Sequence, residues 1–190
     1  MISQDLVAGL LDPAAYPHAP GTVRLVQTHI SCVFLAGAEV LKLKKPVRFS
    51  FLDFSTLERR RHFCEEEVRL NRRLAPDVYL GVVPITRDAA RYRVGGAGEI
   101  VDYAVRMRHL PDDRLLRHLV TTGGADTALV ARIAAKMAAF HASAAADPTI
   151  ALADPVDDLT RTVRENIAAL ASFTNATRLS KSRSTRLARL

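Results

Sequence analysis

Cysteine is scarce and tryptophan is missing: the chain holds only Cys32 and Cys64, and no Trp at all. Two thiols without paired spacing argue against a disulfide scaffold and against a cysteine zinc site. The six histidines (18, 29, 62, 109, 118 and 141) are scattered and form no metal-ligand grouping. No apolar run reaches membrane-spanning length. The first eleven residues have no basic leader and carry Asp5 inside their short apolar stretch, which does not read as a secretory signal. Asn175-Ala176-Thr177 fits the glycosylation pattern, but without such a signal it is read as chance. The expectation is a cytoplasmic protein with no membrane partner.

What remains is ordinary for a globular chain: 190 residues, 48% hydrophobic and 25% charged. The net charge of +7 raises the question of nucleic acid. Much of the excess lies at the end, in Arg178, Lys181, Arg183, Arg186 and Arg189, where no acidic residue intervenes. Elsewhere arginines alternate with carboxylates, as on a solvated helix face. No aromatic-basic platform or recognition-helix pattern accompanies the charge, so nucleic-acid binding is not the expected role.

Texture changes along the chain. A short helical stretch precedes a linker punctuated by Pro13, Pro17, Pro20 and Gly21. Residues 23–28, 32–36 and 40–44 read as strands of an antiparallel meander, with a turn at Gly37-Ala38. Ser55-Thr56-Leu57-Glu58 is a capping box with Ser55 as the cap, opening a helix that should run to about Leu74 before Pro76. Residues 78–85, 91–94 and 100–107 read as further strands. Beyond Pro111 the pattern is helical: a short helix over 112–120, then an apolar stripe of Leu129, Ile133, Met137 and Phe140. A last helix is capped at Asp154-Pro155 and carries Leu159, Val163, Ile167 and Leu170 on one side. The fold class is α+β, an antiparallel sheet with one inserted helix, followed by helices.

Two residues invite a chemical reading. In Val40-Leu41-Lys42-Leu43 side chains alternate, so Val40 and Lys42 share a face. Such a pair could cover a flat base while the lysine reaches phosphate oxygens. The competing reading is a surface lysine, since Lys44 and Lys45 follow closely. Phe63, Glu67, Leu70 and Leu74 fall on one helical face that is otherwise apolar. A carboxylate there needs a cationic partner, and Lys42 is the candidate. The alternative leaves Glu67 solvated at the edge of the stripe.

A strand lysine, a capped helix with an inward glutamate, and strands ending in Tyr103-Ala104-Val105-Arg106-Met107 resemble a protein-kinase-like small lobe. The resemblance is closer to the aminoglycoside-phosphotransferase-like domain at the front of two-part bacterial proteins whose second half is a P-loop ATPase. It rests on Thr28-His29-Ile30-Ser31 and residues 40–47, 51–56, 63–76, 79–85 and 101–111, with Ala139-Phe140-His141 as the end of a first large-lobe helix. It implies ATP held between two lobes. Lys42 would contact the phosphates and pair with Glu67, and Val40 would pack on adenine. Met107, Arg108, His109 and Leu110 would form the interlobe hinge that bonds the base by its backbone. The implied domains are an N-terminal helix and linker (1–22), a small lobe (23–107), a hinge with a partial helical large lobe (108–173), and a basic disordered tail (174–190).

The sequence also departs from that pattern. The first strand-to-strand loop has no G-x-G-x-x-G, so phosphate cradling by glycine amides is not implied. No His-Gly-Asp segment and no second magnesium-binding aspartate occur, and the P-loop G-x-x-x-x-G-K-[ST] is absent. The expectation is therefore a truncated, catalytically inactive domain without a Mg²⁺ site of its own, whose large-lobe or P-loop counterpart is missing or separate. The alternative is a non-catalytic nucleotide- or partner-binding module. The phosphate acceptor is not readable from these residues.

Overall fold

Short connections between β-prone segments force neighbours in sequence to become neighbours in space. Val23–Gln27 (β1), Ser31–Ala36 (β2) and Glu39–Lys44 (β3) pair antiparallel in that order. Gly37 turns the β2–β3 hairpin with φ 64°, a left-handed value that strains any residue bearing a Cβ. Tyr79–Asp88 (β6), Arg91–Val94 (β7) and Glu99–Arg108 (β8) complete a six-stranded sheet of order β1-β2-β3-β8-β6-β7. Arg48–Phe49 (β4) and Leu52–Asp53 (β5) make a separate two-stranded ladder. The architecture is α+β, with a curled antiparallel sheet and helices before, within and after it. The structure is a computed structural model describing residues 2–89, 91–144 and 155–172.

The sheet buries both faces. On one, Gln4–Leu11 (α1) supplies Leu6 and Leu10, which pack with Phe34, Leu41, Leu43, Ile85 and Ala104. The proline-punctuated segment after α1 belongs to this core as well. Tyr16 is buried and its hydroxyl donates to the Leu10 carbonyl at 2.7 Å, while the His18 ring meets the Ala36 carbonyl at 3.0 Å. On the other face, Leu57–Asn71 (α2) sets Cys64 and Val68 against Val105, with Val82 and Met107 beside them.

Several boundaries differ from the sequence expectation, each for a local reason. The cap of α2 is Thr56, whose hydroxyl accepts from the Arg59 N–H at 3.2 Å. Ser55 is diverted, because its N–H and hydroxyl both donate to Asp53 Oδ1. The helix ends at Asn71 and residues 72–74 form a turn. β6 continues to Asp88, since both β7 and β8 keep pairing with it. The helix expected over 112–120 splits at Leu115, whose ψ of 136° is extended, into a 3₁₀ turn and Leu116–Thr121 (α3).

Thr127–Ala142 (α4) and Pro155–Ser172 (α5) are helical as the apolar stripes suggest. The stripes are covered only in part among the described residues. Leu129, Phe140 and Ile167 are half-buried, with the Arg73 guanidinium 4.5 Å from the Phe140 ring centroid, while Ile133, Met137, Leu159 and Val163 are exposed. Asp154 and the 174–190 tail lie outside the described residues, and nothing is described of the Leu170 side chain. Residues 1–140 form one compact unit and 141–190 a second. No described helix is long and apolar enough to cross a membrane.

One buried ion pair fastens α2 to the sheet, and nothing in the sequence pattern announced it. Arg60 Nε donates to Asp102 Oδ1 at 2.9 Å, and the same oxygen accepts the Tyr103 N–H at 2.8 Å. Burial pushes the Asp102 carboxyl up, with Arg60 acting against it. Arg60 also donates to the Phe54 carbonyl at 3.3 Å. Replacing Asp102 with alanine strands a buried guanidinium. The variant should lose about 3–5 kcal/mol of stability in urea denaturation, while Arg61→Ala, on the exposed side of the helix, should leave the midpoint essentially unchanged.

Candidate functional site

Alternation along β3 decides which side chains meet α2. Leu41 and Leu43 enter the core beneath α1. Val40, Lys42 and Lys44 therefore project to the α2 face. There Lys42 Nζ donates to Glu67 Oε1 at 2.8 Å, and Lys44 Nζ donates to Glu67 Oε2 at 2.7 Å. One carboxylate thus bridges two ammonium groups, leaving the cluster with one surplus positive charge.

The three side chains differ in access. Lys42 is 31% exposed, Glu67 14% and Lys44 6%. Lys44 lies over the Phe54 ring, 4.8 Å from its centroid, and that ring meets Phe63 edge-on. Burial by itself would push the Glu67 carboxyl up. The two lysine hydrogen bonds and charges together outweigh it and hold the carboxyl below its ordinary range. Lys44 is the packed, enclosed member of the cluster, and Lys42 is the member that solvent or a ligand can reach.

The route by which Glu67 comes inward differs from the expected one. The stripe of Phe63, Glu67, Leu70 and Leu74 is not the core face of α2, since Phe63 and Leu70 are exposed. The buried residues are Arg60, Cys64 and Val68, and Glu67 borders them. Lys44 was missed as a member of the Glu67 cluster because its neighbours suggested a surface lysine run. Its spacing of two from Lys42 was the available signal.

The other implied ligand contacts fall close by along the sheet. Val40 is buried and pairs with Met107 on β8, which in turn pairs with Tyr79. The Arg108 N–H donates to the Val78 carbonyl and the His109 N–H to the Ala38 carbonyl, both at 2.8 Å. His109 Nδ1 donates to the Gly37 carbonyl at 2.8 Å, which fixes its tautomer. Arg108, His109 and Leu110 line an open cavity of about 590 Å³ together with Pro111, Asp113 and Arg114.

The loop preceding β2 is closed by its own residues rather than by glycine. Thr28 Oγ1 accepts the Ser31 N–H at 3.0 Å, and the Thr28 N–H donates to the Ser31 carbonyl at 2.9 Å. Ser31, the cross-strand neighbour of Lys44, is buried, and its hydroxyl has no partner among the described residues. Neither thiol is a candidate nucleophile. Burial pushes Cys64 up to about 12 and raises Cys32 as well. Among the described residues no group of His, Cys, Asp or Glu could hold a metal ion.

Known proteins offer relatives without assigned roles. The chain is 36% identical over 144 residues to a protein of Mycobacterium bovis and to two of Mycobacterium tuberculosis, each described as uncharacterized. The matched stretch is 76% of this chain and 27% of each relative, so the chain spans about a quarter of their length. No protein-family model matches it, and no solved structure does.

The cluster predicts an asymmetric mutational response. Glu67→Ala leaves the enclosed Lys44 ammonium without its carboxylate and should cost about 3–5 kcal/mol. Lys42→Met should cost about 1 kcal/mol or less, because Lys44 still serves Glu67 and Lys42 is partly solvated. The pH response follows from the lowered Glu67 value. Its stabilisation is fully present above the ordinary glutamate value of about 4.3 and is lost as pH falls through the lower folded value. Acid denaturation should therefore be steeper for the native chain than for Glu67→Gln.

Proposed function

We propose that this chain is the nucleotide-binding small lobe of a kinase-like phosphotransferase domain, with Lys42 as the contact to the phosphates of ATP. The observation that carries this reading is the ion-paired Lys42 on the third strand, matched by Glu67 on the following helix. That strand-lysine and helix-glutamate pairing is how protein kinases orient a lysine toward nucleotide phosphates. The surplus positive charge of the cluster and the greater access of Lys42 suit an anionic ligand. The order of elements, with the helix inserted between two antiparallel halves of one sheet, supports the same reading.

The fit is uneven at the base. The N–H groups of Arg108 and His109 are engaged within the protein. Backbone recognition of adenine would fall to the Leu110 N–H and to carbonyls of residues 107–110, beside the cavity that Arg108, His109 and Leu110 line. Val40 would cover the base only through the edge of a buried side chain.

Transfer of phosphate is not proposed for these 190 residues. No His-Gly-Asp segment or P-loop occurs among them, so an acceptor-orienting aspartate and the Mg²⁺ ligands would have to come from a large-lobe or P-loop polypeptide. A second reading is a non-catalytic partner-binding module, and the exposed apolar residues Val130, Ile133 and Met137 of α4 favour it.

Calorimetric titration with MgATP separates the two. Under the nucleotide reading the chain binds MgATP saturably, Lys42→Ala weakens binding at least tenfold while lowering Tm by no more than a few degrees, and neither protein phosphorylates a hydroxyl acceptor. Absence of binding at millimolar MgATP would sink it. Transfer activity abolished by Lys42→Ala would instead show that the catalytic groups have been misread.

A further inference from the structure

A second concavity lies on the other side of the sheet. It measures about 500 Å³, within the range of about 300–1,000 Å³ usual for small-molecule sites. One wall is aliphatic: Val7, Ala8 and Leu11 of α1, and Val47 beyond β3. The polar groups are Gln4 on α1 and, gathered around the β1–β2 turn, Gln27, His29 and Lys45. The Lys45 N–H donates to the Ile30 carbonyl at 2.8 Å, and its ammonium donates to the Thr28 carbonyl at 2.7 Å.

The charge of this cavity is one-sided. No Asp or Glu lines it, and Lys45 has no carboxylate partner among the described residues. The Thr28 contact uses one of three ammonium donors. Gln27 Oε1 accepts from Cys32 Sγ at 3.8 Å, which leaves its amide NH₂ for an acceptor. A cation beside an aliphatic wall is matched by a ligand with one anionic head and an apolar body. A phosphate or other dianion would leave the wall unused, and a neutral hydrocarbon would leave the lysine unanswered.

We propose that the α1 cavity binds a small amphipathic monocarboxylate, its head on Lys45 and Gln27 and its apolar body along Val7, Ala8, Leu11 and Val47. The site is independent of the nucleotide reading. Lys44 and Lys45 are adjacent in sequence, but Lys44 meets Glu67 beside α2 while Lys45 lines the cavity beside α1, and none of Lys42, Lys44 and Glu67 lines that cavity.

Titration of the full chain with octanoate, octanol and benzoate, followed by calorimetry, tests the assignment. Octanoate should bind saturably at one site, with octanol at least tenfold weaker, because only the acid answers the lysine. Benzoate against octanoate separates an aryl from an alkyl body. Lys45→Met should weaken octanoate at least tenfold and bring it close to octanol. Ala8→Phe, at an exposed lining position, should abolish octanoate binding while preserving Tm. MgATP should not compete. The proposal is overturned if octanoate does not saturate, if octanol binds equally well, or if Ala8→Phe binds octanoate as the native chain does. Should Lys45→Met fail to fold, because its ammonium also holds the turn, Ala8→Phe alone decides the question.

Discussion

The placement of α2 on the sheet depends on one buried ion pair, Arg60 with Asp102. Apolar packing alone gives this helix a small footprint, Cys64 and Val68 against Val105. Such a contact holds the helix down without fixing its rotation. The Arg60–Asp102 bond adds a directional constraint, because the same Asp102 oxygen is pinned by the Tyr103 N–H. With Arg60 fixed, Glu67, two turns further on, has a defined position over β3. The net gain from forming such a buried pair is small, because desolvation offsets the attraction, whereas removing one partner is costly.

Glu67 then closes the arrangement from its own end. A lone lysine on β3 facing a lone glutamate would serve either structure or ligand. Here the two lysines differ in surroundings: Lys44 is enclosed beside Phe54 and satisfies one carboxylate oxygen, and Lys42, on the other oxygen, is the more exposed. A ligand that draws Lys42 away leaves Glu67 still neutralised. The helix position and the availability of Lys42 are therefore only weakly opposed.

The six strands and α2 were legible because alternation, turn glycines and a Ser55–Glu58 helix-start pattern are local signals, although the cap proved to be Thr56. Their boundaries shifted by one to three residues wherever a side chain chose a different partner, as Ser55 did with Asp53. The Lys42–Glu67 contact was legible as a need, since a carboxylate on an apolar stripe requires a cation, and as what the kinase-like resemblance implied, although that stripe is not the buried face. Lys44 was not read as part of it, because three lysines among four residues look like solvated surface until the register of β3 is known. Arg60 and Asp102 were invisible for a deeper reason. They stand 42 residues apart, and Arg60 lies on the buried side of α2 with Cys64 and Val68, a side the sequence pattern did not mark as the core face. The partly exposed stripes of α4 and α5 show the converse: periodicity reports an apolar face but not what lies against it.

The tie between the β2–β3 hairpin and the end of β8 has a mechanical consequence. His109 is bonded at two points to Gly37 and Ala38, and Arg108 to Val78. The chain is thus clamped from both sides as far as residue 109. Pro111, with φ near −59°, contributes little torsional freedom of its own. With residues 108 and 109 fixed to the sheet, torsional freedom of the connection to the following turn starts no earlier than Leu110.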